Sequence, residues 1–369
     1  MGVETLIYGY LAICASMIVF NCISVVVFRR RDVAWSGRGA RLEREIRKQL
    51  ARLERGDPVE EAHLARLEQE LPHTASLLIF DRTIDGLLEG QEKGTWDYLE
   101  ALRLVFSRLT VETQRQEPMR RAFFAYLLGK YRLLSPPLPG ARELLMELLT
   151  ESSLYCRENA MQAIYTAGDP QWVLLALRAV DQNGFFHHPK LLTDGLLEFQ
   201  GDRQALRQIL WENFESFSQE RQVVILDYIR FSGGGMDREV LDLLADSRRG
   251  DELRFSCLRY FARYPYEPAF PLLLSFVDQA SQRRWEYGAI AATALGAYPG
   301  EGTVDTLKQA LHNPNWYVRF NAAKSLEAFH LAYWELGDVM EGSDRYAREI
   351  LQYQRDLDEA RRERKGALV

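Results

Sequence analysis

Two short segments of this chain carry residue types that can do chemistry, the histidine pair His187-His188 and the glycine run 233–235. Two histidines that bind one metal from a helix need i, i+4 spacing, and adjacent histidines point their rings in different directions. A phosphate-binding loop follows a strand and needs Lys-Ser or Lys-Thr after its glycines, which this run lacks. The sequence therefore predicts no catalytic residue, no cofactor and no metal ligand, and we expect a protein that is not an enzyme.

The stretch around the histidines fits a protein contact better. It lies where a turn between two helices is expected, and it holds two consecutive phenylalanines where a surface loop is ordinarily polar. Exposed aromatic side chains anchor protein interfaces. We therefore predict that Phe185, Phe186, His187 and His188 bind a partner. The alternative is that both phenylalanine rings pack under the next pair of helices.

The composition is that of a folded protein without a surface for nucleic acid. The 369 residues are 47% hydrophobic and 27% charged, and the formal net charge is −6. This balance allows a large core and argues against a concentrated basic face, so nucleic acid is not predicted as a ligand. Cys156 and Cys257 are a hundred residues apart, the other two cysteines lie in the first 22 residues, and C-x-x-C spacing is absent. Neither a disulfide framework nor a zinc site is predicted.

The N-terminal segment predicts a membrane anchor. Residues 5–28 are uncharged and mostly apolar, and Arg29, Arg30 and Arg31 follow directly. At about 1.5 Å per residue this stretch reaches roughly 36 Å as a helix, enough to cross a hydrocarbon core of about 30 Å. The three arginines are predicted to bind the membrane surface, and they favour an N terminus outside and a C-terminal domain in the cytoplasm. The predicted localisation is the cell membrane, with a single pass through the lipid bilayer.

Beyond the anchor, the spacing of apolar residues predicts helices. Apolar positions recur at helical spacing before and after Gly56-Asp57-Pro58, which predicts a hairpin whose second helix has Asp57 as its N-cap. The charged faces of this hairpin are typical of a solvated surface, and a self-associating coil is the alternative. Further along, a unit of roughly 30 to 35 residues repeats, each one a pair of amphipathic helices with a short polar turn. The units start near Leu138, Asp169, Asp202, Asp237, Glu267 and Gly302.

The clearest of these units resembles a HEAT repeat. An apolar first helix leads into Asn-Pro-Asn-Trp-Tyr-Val-Arg over residues 313–319, and Ala-Ala-x-x-Leu follows over 322–326. The family has an apolar helix, a turn with Asp or Asn before Pro, then Val-Arg and the same small-residue face. The resemblance covers about 200 residues and implies stacked helical pairs that present a long surface to protein partners. It also implies that Arg157, Arg254 and Arg319 lie at turns and reach a neighbouring repeat.

Some proteins built from HEAT-like repeats are enzymes, including DNA-alkylation glycosylases and bilin lyases. The glycosylases need a basic groove that faces DNA, which the acidic balance of this chain opposes. No functional residue of the lyases can be matched to a position of this sequence. The resemblance therefore favours a binding protein over an enzyme.

The predicted architecture is all-α, a single N-terminal transmembrane helix followed by a right-handed α-solenoid of about six to seven HEAT-like helical hairpins. Its expected parts are the anchor (1–31), a juxtamembrane helical hairpin (32–72), the helical N-terminal part of the solenoid (73–137), the HEAT-like repeats (138–334) and a C-terminal capping helix with a charged tail (335–369). The apolar face of the capping helix is predicted to consist of Tyr346, Ile350, Tyr353 and Leu357.

These features predict a membrane-anchored scaffold, an accessory or regulatory subunit of a membrane protein complex. A membrane-embedded enzyme such as an envelope polysaccharide glycosyltransferase is the candidate partner, because a tether raises the effective concentration of the solenoid near membrane proteins. One alternative is a membrane-tethered recruiter of soluble signalling proteins, and another is a HEAT-like enzyme such as a lyase. A homo-oligomer is compatible with each of them.

Overall fold

The computed structural model describes residues 10, 13, 16–20, 36–278 and 284–366, with the backbone alone at residues 333, 359 and 361–366. All regular structure within these residues is helical, and no strand occurs among them. The all-α part of the predicted architecture is therefore correct. The chain divides after Asp169 into two compact units.

The predicted transmembrane helix is not found. No helix in the described part of the chain is both long and apolar enough to cross a membrane. The prediction of a single-pass helix is corrected by this finding, and so is the membrane localisation that rested on it. The rest of the span and the predicted membrane-surface residues Arg29, Arg30 and Arg31 lie outside the described residues.

From residue 36 onward, the first unit consists of eight helices. They are α1 (36–53), α2 (Glu61–Glu70), α3 (Thr74–Glu89), α4 (Thr95–Ala101), α5 (Arg103–Thr113), α6 (Pro118–Lys130), α7 (Ala141–Leu149) and α8 (Leu154–Ala167). Four aromatic rings form the centre of this unit, because Phe80 contacts Phe106 and Tyr131, and Phe106 stacks on Phe124 at 6.0 Å between ring centres. All four are buried.

The first hairpin of this unit differs from the prediction at its second helix. The expected N-cap was Asp57, whereas α2 begins at Glu61. The backbone N–H of Glu60 donates to the Gln49 side chain of α1 at 3.0 Å, and Asp57 N–H donates to the carbonyl of Arg52 at 3.0 Å. Because a side chain from the first helix satisfies the start of the second, an aspartate cap is not needed.

The second unit is a series of helical pairs that ends in a long helix. Its helices are α9 (Pro170–Gln182), α10 (Pro189–Leu197), α11 (Arg203–Glu212), α12 (Gln219–Ser232), α13 (Asp237–Ala245), α14 (Asp251–Phe261), α15 (Phe270–Asp278), α16 (Trp285–Leu295), α17 (Glu301–Ala310), α18 (Trp316–Ala328), α19 (Gly337–Met340) and α20 (Arg345–Gly366). The second helices of successive pairs pack against one another, in the order α10, α12, α14, α16, α18 and α20. This packing is repeat-like, since each pair contacts the next pair along the chain.

Four second helices, α8 of the first unit and α14, α18 and α20 of the second, have an arginine at their fourth position. This arginine closes the turn that precedes the helix. Arg319 Nη1 donates to the carbonyls of Asn313 (2.6 Å) and Pro314 (3.1 Å), and Arg157 Nη1 donates to those of Glu151 (2.7 Å) and Ser152 (2.9 Å). The guanidinium groups thus bind their own pair, where the resemblance implied a neighbouring one. Arg254 does both, because it donates to the Leu244 carbonyl of its own pair and to the Tyr287 hydroxyl of the next.

The buried face of the last helix is shifted from the predicted one. Ala347, Ile350, Leu351 and Gln354 are buried, while Tyr346 and Tyr353 are largely exposed. The ring of Tyr346 lies over the Arg319 guanidinium, 5.4 Å from its carbon to the ring centre. The buried face toward α18 therefore begins at the small residue Ala347, and the Tyr346 ring lies on the surface over Arg319.

Candidate functional site

Four aromatic rings form a continuous surface at the N-terminal ends of α16 and α18, which we call the aromatic ladder. Trp285 stacks on Tyr317 at 4.9 Å between ring centres, Tyr317 meets Trp316 edge-on at 5.1 Å, and Trp316 stacks on Phe320 at 4.8 Å. Trp285, Trp316 and Tyr317 are exposed, with 48% of Trp316 open to solvent. Rings that are already stacked lose little conformational entropy when they are covered, so the ladder suits protein binding.

Close packing of α16 on α18 brings the rings together. Ala291, Ala292, Ala322 and Ala323 are fully buried, and small side chains let two helices approach. The Asn321 amide donates to the carbonyl of Ala289, and the Ser325 hydroxyl donates to that of Ala292, both at 2.9 Å. These two bonds fix the register of the helices, and so they hold Trp285 opposite Tyr317 across 32 positions of sequence.

A polar network beneath the ladder holds the start of α16. The Tyr287 hydroxyl donates to Asp251 at 2.6 Å and accepts from Arg254 at 3.1 Å, and Arg284 forms an ion pair with Asp251. The hydrogen bond from Tyr287, followed by that from Arg284, lowers the pKa of Asp251 below its ordinary value. Burial and the bond to Asp251 raise the pKa of Tyr287 to about 12. Asp251 is therefore ionised and Tyr287 neutral at pH 7, the charge states that this network needs.

The predicted partner-binding residues lie in the loop between α9 and α10 and divide into two groups. Phe186 is 73% exposed and Phe185 is exposed as well, so the rings do not pack under the next pair. His188 is exposed, caps α10 by accepting from the Lys190 backbone, and meets Phe186 edge-on at 6.2 Å. His187 is only 1% exposed, and its carbonyl accepts from Arg221. The structure thus leaves Phe185, Phe186 and His188 accessible to a partner, whereas the His187 side chain is buried.

Sequence reasoning missed the ladder because it assigned residues 313–319 to a repeat turn. A signal is nevertheless present in the sequence. Several second helices have a large aromatic residue at their first or second position, on the exposed side of the turn, namely Tyr155, Trp285, Trp316, Tyr317 and Tyr346. An aromatic residue beside an exposed turn, repeated from pair to pair, is a pattern that indicates a contact surface.

One group of metal-capable side chains occurs within the described residues. Ligand atoms of Glu327, His330 and Asp358 lie within 4.8 Å of one another at the C-terminal end of α18 and the facing part of α20. Arg355 already neutralises Glu327, with Nε and Oε2 separated by 3.7 Å. Because this carboxylate has a cationic partner in the structure, we assign no metal to the group.

Comparison with known proteins adds no family to these observations. No protein-family model matches the chain, and no curated protein is significantly similar to it.

Proposed function

We propose that this protein is a helical-repeat scaffold of the HEAT type that binds a protein partner through the aromatic ladder. The ladder is the observation that carries the proposal. Three of its four rings are exposed, they are held rigid by stacking, and two hydrogen bonds between α16 and α18 keep them in place. Such aromatic residues dominate the binding energy of protein interfaces.

The HEAT assignment within this proposal rests on a shared pattern. The second helices of the second unit pack in series, three of them have an arginine at the fourth position, and the turn before α18 contains Asn-Pro. Proteins of this construction act by holding a partner along several repeats, which favours an accessory or regulatory subunit. The charges beside the ladder are largely paired, as Arg284 binds both Asp251 and Glu286, so the contact is expected to be mainly apolar.

The test is affinity purification of the full chain from its native host, with the Trp316→Ala/Tyr317→Ala double variant beside it. The matched control is Trp96→Ala, because Trp96 is also 48% exposed but lies in the first unit. A partner that is recovered with the wild type and the control, and lost with the double variant, supports the proposal. Once that partner is purified, the double variant should bind it at least about 30-fold more weakly.

Equal recovery with the double variant would refute a role for the ladder. Phe186→Ala is measured in the same experiment and reports separately on the loop between α9 and α10. Loss of the partner with Phe186→Ala alone would move the contact surface to that loop.

A further inference from the structure

A cavity in the first unit combines an apolar wall with a basic rim. It has a volume of about 280 Å³ and lies between α1, α2 and α3. Its wall includes Leu67, Leu71 and Ile79, which are buried, and Leu42, which is partly exposed. Sites for drug-sized molecules are typically about 300–1,000 Å³, and this cavity is slightly smaller, so it suits a smaller ligand of about six to ten heavy atoms.

The charged residues that line the cavity leave an excess of positive charge. Arg38, Arg41 and Arg66 contribute +3, and Glu45 and Glu70 contribute −2, which gives +1. Glu45 accepts from Arg66 and, at 3.4 Å, from Arg41. Burial alone would raise the pKa of Glu45, but these two arginines lower it below its ordinary value. One carboxylate is thus shared by two guanidinium groups, a cationic arrangement that a second carboxylate would complete.

A buried histidine adds a neutral donor to the lining. The Tyr98 hydroxyl is 2.8 Å from Nε2 of His63, and both residues are buried. Burial raises the pKa of Tyr98, so its hydroxyl stays protonated, and within the described residues it has no acceptor besides His63. Because this hydroxyl donates to Nε2, we assign the histidine proton to Nδ1.

We propose that this cavity binds a small organic carboxylate with a compact apolar body. The carboxylate would lie between the Arg41 and Arg66 guanidinium groups and His63, where N–H donors and excess positive charge are found together. The apolar body would cover the leucine and isoleucine wall. Neither a simple inorganic anion nor a neutral apolar molecule matches both halves of the lining.

The experiment measures binding of hexanoate to the full chain by isothermal titration calorimetry and ligand-observed NMR. Hexanamide is the neutral isostere of this probe, and acetate has the same charge without the apolar body. We expect hexanoate to bind and each of the two analogues to bind at least about tenfold more weakly. Equal binding of hexanoate and hexanamide, or no binding of hexanoate, would overturn the proposal.

Three variants test whether hexanoate binds in this cavity. Arg41→Gln removes one rim charge from a side chain that is 75% exposed, and it should weaken hexanoate binding about tenfold. Arg44→Gln, on the same helix but outside the cavity lining, should leave binding unchanged. Leu42→Trp fills the cavity without changing its charge and should abolish binding. Full affinity in Arg41→Gln, or in Leu42→Trp with its helical circular-dichroism spectrum intact, would show that hexanoate binds elsewhere and would refute this site.

Discussion

Two glycines in the first unit should respond to alanine in opposite directions. Gly129 lies in α6 where this helix packs against α8, and a Cβ atom there would be 2.9 Å from the Ala163 Cα and 3.2 Å from Thr166 Oγ1. Gly86 is exposed in α3, and a Cβ there would meet nothing within 4 Å. Gly86 is an interior position of its helix and Gly129 lies in the last turn of α6, so intrinsic helix propensity favours alanine at each by up to about 1 kcal/mol.

The magnitude at Gly129 follows from what the new methyl group meets. The atom at 2.9 Å belongs to the backbone of α8, so a rotamer change cannot relieve the contact and the helices must separate. Overpacking of this kind costs about 1–3 kcal/mol, and a backbone contact belongs at the upper end. After subtraction of the propensity gain, Gly129→Ala should lower the free energy of unfolding by about 2 kcal/mol. Gly86→Ala should raise it by about 0.5–1 kcal/mol.

The assay is hydrogen exchange by mass spectrometry in low concentrations of urea, read on peptides from α6 and α8. This readout reports on the first unit itself, whereas global unfolding of a chain with two units need not be two-state. Protection in these peptides should fall in Gly129→Ala and rise or stay level in Gly86→Ala. If both variants stabilise the unit, the close approach of α6 and α8 is wrong.

Three further predictions concern residues at other positions. Burial, followed by the charge of Arg66, lowers the pKa of His63, so the unfolded state binds the proton first and the free energy of unfolding falls as pH drops through about 6.5. His63→Gln should therefore reduce the change of the urea midpoint between pH 7.5 and 5. An unchanged pH dependence of the midpoint would contradict this. Arg319→Ala should cost about 1.5–3 kcal/mol in urea unfolding because the turn bonds are lost, whereas the exposed Arg345→Ala should leave the urea midpoint almost unchanged. Trp172→Ala removes a fully buried side chain and should lower the free energy of unfolding by about 3–5 kcal/mol, whereas Phe186→Ala should lower it by less than about 0.5 kcal/mol. Similar melting temperatures for the two variants would refute the packing of α9.

Local signals in the sequence were enough to predict the helical pairs. Asp202 illustrates this, since it was expected near the start of a unit and its carboxylate accepts from the backbone N–H groups of Gln204 and Ala205 at the start of α11. A cap, a helix and a turn depend on residues that are close in sequence, so spacing and residue type are sufficient to find them.

The ladder and the cavity depend instead on contacts between distant residues. Trp285 and Tyr317 meet only because α16 and α18 are held in one register by amide and hydroxyl bonds. In the same way, the burial of Tyr346 was overestimated because hydropathy does not reveal the contact between its ring and the Arg319 guanidinium. The membrane anchor was inferred from hydropathy alone, and the described helices do not include one.

The arginines that close turns in the second unit give three of its helical pairs turn bonds of their own. In α14, α18 and α20, the guanidinium group of the second helix binds carbonyls of its own pair, at Leu244, at Asn313 and at Gly342. A turn carbonyl that is bonded within its own pair keeps its partner when a neighbouring pair is duplicated or deleted. Insertion of a whole pair would therefore interrupt the side-chain bonds between pairs, such as that from Asn321 to Ala289, and leave these turns closed.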